Sequence, residues 1–560
     1  MAAIPGPAPP AQQLRRLREI VTVLAKYGFP DVVAALHLEP MLALGRRLAL
    51  RRGAEGPRAT QGERLRQALE ELGPTFVKFG QALSTRTDVL APDLVTELAR
   101  LQDDVPPMPA DVAEATVEAE LGRPIDSVFA RFETVPIAAA SIAQVHRAAL
   151  VAGGEVAVKV RRPGIGATIE SDLAILAHLA RLAERYSPEM ALYRPSGLVA
   201  EFARAIRREQ DLAREGRTID RFARNFAADP TVRFPRVFWG QTTSAVLTME
   251  YMAGTKVSEV AAGAPGFDRA LVARRGADAV LRQVLRDGLF HADPHPANVF
   301  VLPGNVVCFL DFGSAGRLDR QMRVHLASLV GAAVREDAEA LTNAVLAIGS
   351  ASGPIGVPEL RRDLDELLDS YAGITLRDLA IGDLLRRALA IVSRHRLQFP
   401  PDLMLLVRAF VTIEGVGRQL DPSFLLIEHA RPMVEEILKE RLAPSALAAR
   451  VREIGREAAD ALHTLPRDLR EIVGKARDDR LQIQFVHRNL EHFVLEMDRS
   501  SNRLSFAVVI AALIVGSSVI FQSGAGPTLF GYPGVGLVGF VAAGLLGLWL
   551  AIGIIRSGRL

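Results

Sequence analysis

The 560-residue sequence predicts an α+β protein of two lobes, a small sheet lobe followed by a larger helical one, with apolar helices closing the chain. Three observations predict this. Short β-branched runs cluster between residues 129 and 254. Helical periodicity surrounds them on both sides. Two long uncharged apolar runs end the sequence.

Residues 1–60 open on an Ala- and Pro-rich stretch, Met1 to Gln12, without the apolar core of a secretory signal. Residues 13–58 read as helical, with basic clusters at Arg15-Arg16 and Arg46-Arg47 that face either solvent or anionic lipid. Residues 61–128 form a helical extension, broken at Gly73-Pro74 and Pro92 and followed by the linker prolines Pro106 and Pro107. Within 129–254, the runs 156–160, 232–239 and 245–249 predict an antiparallel sheet, with helical segments at 172–184 and 196–208. Residues 255–440 are mainly helical, apart from apolar strands at 299–301 and 306–310. Residues 441–503 read as a helical linker.

The runs 504–521 and 535–555 hold 18 and 21 residues without a charge. At 1.5 Å per residue they reach roughly 27 and 31 Å, enough for a bilayer core. Arg499 and Arg503 precede the first and Arg556 and Arg559 follow the second, while the linker 522–534 is uncharged. This predicts a transmembrane hairpin at 504–555, in a multi-pass protein of the inner (cytoplasmic) membrane whose remaining domains lie in the cytoplasm. Gly539, Ala543 and Gly547 recur every four residues and offer the first helix a smooth face. The balance of 67 basic and 64 acidic side chains argues against a nucleic-acid partner. The single cysteine, Cys308, excludes an internal disulfide framework and a thiolate metal cluster; its apolar setting predicts a buried strand residue.

The chemistry concentrates in His291-Ala292-Asp293-Pro294-His295-Pro296-Ala297-Asn298 and in Asp311-Phe312-Gly313. Between them lie the two short strands, joined by the turn Pro303-Gly304-Asn305. A hairpin there brings the loop of Asp293 and Asn298 beside the loop of Asp311. Phosphoryl transfer needs this combination. Carboxylate and amide oxygens, here Asn298 and Asp311, hold Mg²⁺ against nucleotide phosphates, and a further carboxylate, Asp293, faces the attacking group. Order and spacing match the catalytic and metal loops of kinases. Lys159, within the alternating strand 156–160, fits the lysine that grips the α and β phosphates. Glu215 is its expected acidic partner, 56 residues on. Asp211 and Glu215, four apart, can share a helix face. Where kinases place a glycine-rich phosphate loop, this sequence has Ala138-Ala139-Ala140-Ser141-Ile142-Ala143. Alanine resists the close backbone approach and positive φ that glycine permits, which predicts an altered phosphate geometry.

With these residues the sequence resembles the UbiB family of atypical kinases, related to the ubiquinone (coenzyme Q) biosynthesis factor. Four motifs carry the resemblance: the alanine-rich loop, Lys78-Phe79-Gly80-Gln81 continuing to Ser84-x-Arg86-x-Asp88, Glu209-Gln210-Asp211, and the loop 290–298. It implies an atypical protein-kinase-like fold that binds ATP or ADP with Mg²⁺. It also implies an extension packed over the cleft where a protein kinase binds its substrate, with Lys78 and Gln81 near Glu209 and Asp211 in a regulatory role. Glu250 and Met252 then line the nucleotide pocket. Membrane lipids, quinone precursors and quinone-biosynthesis proteins become the expected partners; homodimerisation stays open. Pro294-His295 stands where protein kinases usually have Leu-Lys, and no Ala-Pro-Glu follows Asp311. Both weigh against peptide phosphorylation. Three readings remain: an ATPase supporting quinone biosynthesis, a protein or small-molecule kinase, and a non-catalytic nucleotide-binding scaffold.

Overall fold

Alternation along one strand builds the sheet lobe from its centre. The computed structural model describes residues 10–29, 59–84, 86, 90–101, 105–186, 193–351, 355–370, 381–442, 490–523, 527–529 and 532–556. Arg46-Arg47, Asp88, Arg559 and most of the expected linker 441–503 lie outside them. The chain forms two compact units, Met1–Ala448 and Ala449–Leu560.

Among the described residues four helices come first: α1 (Pro10–Lys26), α2 (Gln61–Leu72), α3 (Pro74–Ser84) and α4 (Pro92–Leu98). Thr60 and Glu63 start α2 with a reciprocal capping box, which satisfies two otherwise orphaned N–H groups. Gly80 lets α3 lie close to its neighbours, because a Cβ there would strike Leu101 and Leu69. Helix α5 (Ala110–Leu121) leads into the sheet.

Strands β1 (Phe129–Phe132), β2 (Ala138–Ala139), β3 (Ala143–Leu150) and β4 (Glu155–Arg161) follow. Then come helices α6 (Ile165–Tyr186), α7 (Pro195–Glu209) and α8 (Leu212–Asn225), the two-residue strand β5 (Val232–Arg233) and strand β6 (Val246–Glu250). The sheet runs β1-β3-β4-β6, with β2 on β3, and every pairing is antiparallel. On β4, Val156, Val158 and Val160 are fully buried against Phe129, Ala148, Val246 and Val117 of α5. The period of two then turns Ala157 and Lys159 to the opposite face. Helices α6 and α7 pack with α1 to α4 around Phe76, Val77, Ile169 and Ile206. Arg16 ties α1 to the buried Asp172 of α6 at 2.8 Å.

The expected strand 232–239 is corrected. Only Val232 and Arg233 form a strand, and they pair in parallel with Val307 and Cys308 in a second sheet. Trp239 sits in a 3₁₀ turn, and Val237 makes an isolated bridge to Met249. The apolar run splits because Phe234 is drawn into an aromatic cluster with Phe222, Phe309 and Phe312.

The helical lobe holds β7 (Thr255–Lys256), α9 (Val257–Ala261), α10 (Arg269–Arg282), β8 (Leu289–His291), β9 (Val299–Leu302), β10 (Val306–Phe309) and β11 (Ala315–Arg317). It continues through α11 (Arg320–Val334), α12 (Ala338–Ile348), β12 (Ser350–Ala351), α13 (Val357–Asp369), α14 (Ile381–Arg394), β13 (Leu397–Gln398), α15 (Pro401–Leu420) and α16 (Leu426–Leu442). The second sheet runs β5-β10-β9-β7. Gly304 and Asn305, both at positive φ, make the β9–β10 turn.

The other unit contains α17 (Leu490–Ser523), the small hairpin β14 (Thr528–Leu529) and β15 (Tyr532–Pro533), and α18 (Gly534–Arg556). Here the expectation of two spans is narrowed. Among the described residues one helix segment, Gly534–Ala551, is long and apolar enough to cross a membrane, with mean hydropathy 2.0. The apolar part of α17, Leu504–Ile520, is shorter. Of the small residues on α18, Gly539 lies against Ser517 and Ala543 is buried, whereas Gly547 has nothing near its Cβ position. Phe506 and Trp549 meet edge to face at 6.0 Å.

Candidate functional site

Strand β4 presents Lys159 to the cleft because its neighbours on the strand are committed to the core. Lys159 Nζ lies 2.9 and 3.0 Å from the two carboxylate oxygens of Glu215 and 3.0 Å from Asp311 Oδ1. Glu215 is buried in the first turn of α8 and also accepts the Phe312 N–H at 3.1 Å. Burial pushes the Glu215 carboxyl upward against the pull of Lys159. Burial also opposes the Lys159 charge, but Asp311 and Glu215 outweigh it and raise the ammonium above its ordinary value. Lys159 in turn holds the half-exposed Asp311 well below the usual carboxylate range, with Lys78 adding a smaller pull.

Asp311 has φ of +57°, a left-handed conformation uncommon for residues with a Cβ. Its turn is held from both sides. Gly313 N–H donates to Asp311 Oδ1 at 3.3 Å, and Phe312 is buried among Phe222, Phe234 and His291. The β9–β10 hairpin closes the loop ends: Leu310 N–H donates to the Asn298 carbonyl at 2.8 Å, so Asn298 adjoins the Asp311 turn. His291 is fully buried. Its Nε2 meets the Leu310 carbonyl at 2.9 Å and its Nδ1 accepts the Asp293 N–H at 3.2 Å, which fixes a neutral ring with the proton on Nε2. Burial lowers its pKa. Asn298 Nδ2 donates to the Asp293 carbonyl at 3.3 Å.

The residues that could hold a divalent cation are Asn298 and Asp311. Among the described residues no group of three His, Cys, Asp or Glu side chains forms a closed metal cage. One amide and one carboxylate suit Mg²⁺, which keeps waters and takes its remaining oxygens from phosphates.

The other expected residues have mixed placements. Lys78 of α3 meets Glu209 at 2.8 Å. Gln81 instead donates to the Leu101 carbonyl at 3.0 Å, within its own helical extension. The shared helix face expected for Asp211 and Glu215 is corrected. The helix breaks after Glu209, and Asp211 caps α8, accepting the Arg214 N–H at 3.1 Å and pairing with Arg217. The alanine loop is the turn of the β2–β3 hairpin. Ala140 N–H donates to the Ala143 carbonyl at 2.9 Å. Ser141, Ile142 and Ala143 are buried, and Ile142 packs into the cluster of α3 and α6. Glu250 pairs with Arg233 at 2.6 Å, and Met252 is buried with Leu302 and Cys308. Both line a cavity of about 660 Å³ at the turn end of the β9–β10 hairpin, and neither Lys159 nor Asp311 borders it. Cys308 is fully buried, and burial pushes its thiol up to about 12.

One partner carried no motif. Arg408, on α15, meets Asp293 Oδ2 at 3.0 Å. It lies 115 residues beyond Asp293 in an ordinary helical stretch, so no local pattern marks it.

Comparison with known proteins follows the same layout. Residues 100–345 match the ABC1 atypical kinase-like domain, 364–425 the UbiB helical domain and 488–556 the ABC1/UbiB kinase-like C-terminal domain. The "Probable protein kinase UbiB" of Xanthomonas campestris pv. campestris (strain B100) is 34% identical over 518 residues, spanning 90% of this chain and 93% of that protein. A solved complex of Rv3197 with erythromycin from Mycobacterium tuberculosis aligns with TM-score 0.45 and 23% identity, over 70% of this chain and 95% of that one. By its domain matches and by a relative that extends over nearly its whole length, the chain belongs to the UbiB family of atypical kinase-like proteins.

Proposed function

We propose that this protein is a membrane-anchored, kinase-like ATPase that supports ubiquinone biosynthesis by handling lipid-soluble precursors. The observation that carries the reading is the contact of Lys159 with both Glu215 and Asp311, at 2.9 to 3.0 Å. A buried carboxylate that holds a lysine beside a second, solvent-facing carboxylate is the arrangement phosphate binding requires. Lys159 orients the α and β phosphates, and Glu215 keeps its ammonium in place. Asn298 and Asp311 would hold Mg²⁺, which would supply charge neutralisation for the phosphates when bound. Asp293, steadied by Arg408, orients the attacking group, water or a small molecule. The α17–α18 hairpin supplies the membrane anchor, with α18 as the span best supported by length and composition.

ATP hydrolysis by the full chain in detergent or lipid tests the reading. Asp311→Asn should lower turnover by roughly 100-fold or more, the scale of losing a preorganised charge at the reacting phosphate. Activity undiminished by that change would sink it.

The Xanthomonas relative, named a probable protein kinase, favours a second reading, a protein kinase. The ion pair of Lys78 with Glu209 sets the helical extension against it, where a protein acceptor would need open space. Transfer of label from ATP to a purified protein partner would decide for the kinase.

A further inference from the structure

Two arginines follow Lys159, Arg161 at the end of β4 and Arg162 just beyond it. Successive residues of an extended chain point to opposite sides. Arg161 Nη1 donates to the carbonyls of Gln210 at 2.9 Å and Ser244 at 3.3 Å, so it grasps the turn between Glu209 and Asp211. Arg162 reaches the other way. Its Nε donates to the Ala140 carbonyl at 3.0 Å and its Nη2 to the Pro106 carbonyl at 2.8 Å. Its backbone N–H donates to the Ile142 carbonyl at 2.8 Å.

One half-buried side chain therefore joins the turn of the alanine hairpin to segment 105–109, which leads from the Lys78-bearing helices to α5. Its side-chain partners are both carbonyl oxygens, and burial alone lowers its pKa. Charge pairing is not what holds it; the forked geometry is. A guanidinium presents donors in several fixed directions, whereas an ammonium is a single centre at the end of a flexible stem.

The same segment is gripped a second time. Met108 N–H donates to Gln144 Oε1 at 2.8 Å, and Gln144 Nε2 lies 2.7 Å from His146 Nε2. His146 Nδ1 lies 2.7 Å from the Glu133 carbonyl. On its other side the loop is anchored through Ile142, in one cluster with Phe76 and Val77 of α3.

We propose that Arg162 is a positioning residue: it makes the alanine loop and segment 105–109 move as one body, so that the helical extension carrying Lys78 sets the height of the loop over the cleft. The proposal rests on the nucleotide reading of that cleft. A ligand seated under the loop should then be felt at Met108, and a change in the extension should be felt by the ligand.

Hydrogen exchange of the full chain in detergent, with and without Mg-ADP, tests this. Met108 is the natural reporter, because residues 106, 107 and 109 are prolines. In the wild type, Mg-ADP should protect both the loop 138–143 and Met108; protection of the loop alone would overturn the coupling without any variant. In the ligand-free protein, Arg162→Met should speed exchange at both places together by about fivefold, the factor that one ordinary hydrogen bond contributes. Loosening at one place only, or at neither, overturns the clamp whatever the nucleotide does. Arg162→Met should also raise KM for ATP by about fivefold with kcat within about twofold, and Arg162→Lys should not restore it. Full rescue by lysine, or a loss confined to kcat, overturns the positioning role. A wild-type chain that binds no Mg-ADP overturns the nucleotide reading and the positioning role with it, and the ligand-free exchange then still reports whether the two segments move together.

Discussion

Lys159 and Glu215 are costly to bury singly and tolerable only as a pair. Removing one partner of a buried pair leaves an uncompensated charge, typically at about 3 to 5 kcal/mol. Lys159→Met should therefore destabilise the unit by about 3 kcal/mol, with Glu215 left behind. Adding Glu215→Leu should return much of that loss, and thermal unfolding of the two variants measures it. Equal melting temperatures for the single and double variants would refute the pairing argument. Two buried histidines make a separate forecast. Burial lowers the pKa of both His146 and His291. A lowered folded pKa favours the neutral ring, so this stability is complete above the ordinary value of about 6.5 and is lost as pH falls through the folded value. Melting temperature should be flat from about pH 8 to 7 and fall below about 6.5; a rise on acidification would contradict it.

At the scale of elements, helix α15 brings Arg408 to Asp293 from a part of the chain that carries no kinase motif. Arg408→Ala should leave the fold intact and lower kcat by roughly tenfold, about 1.4 kcal/mol in the barrier, with KM for ATP little changed. Steady-state kinetics checks this, and an unaltered kcat would remove Arg408 from the site. The contrast shows which parts of the site were legible in the sequence. The β9–β10 hairpin was legible because Pro303-Gly304-Asn305 writes its own turn, and both ends then fall into place. Lys159 was legible because β4 alternates over seven residues. The parallel pairing of β5 was not, since two residues carry no period and a partner some 75 positions away leaves no local trace. Arg408 and Arg162 were hidden for a related reason: their contacts are tertiary, and nothing beside them in the chain records what they touch. Asp211 was misplaced because a four-residue spacing fits both a helix face and a cap before the first turn. Only the helix break after Glu209 separates the two.

For the whole molecule, the proposed chemistry and the proposed anchor belong to different units, Met1–Ala448 and Ala449–Leu560. The candidate span Gly534–Ala551 is only marginally buried by protein, as a surface meeting lipid would be. Leu545 is exposed on it. Leu545→Arg, at a cost of about 2.5 to 3.5 kcal/mol for a charge at mid-span, should shift the chain out of the membrane fraction while leaving detergent-supported ATP hydrolysis intact. Undiminished membrane partitioning would show that α18 does not carry the anchor.

The burial of Cys308 has a practical consequence. It is the chain's only cysteine, and its thiol is sealed inside the β9–β10 hairpin and held in the protonated form at neutral pH. Any cysteine placed elsewhere becomes the sole reactive thiol, with no background to subtract. A spin label or dye on the alanine hairpin can thus be read against a second one on the helical extension, in the otherwise native sequence and in a bilayer.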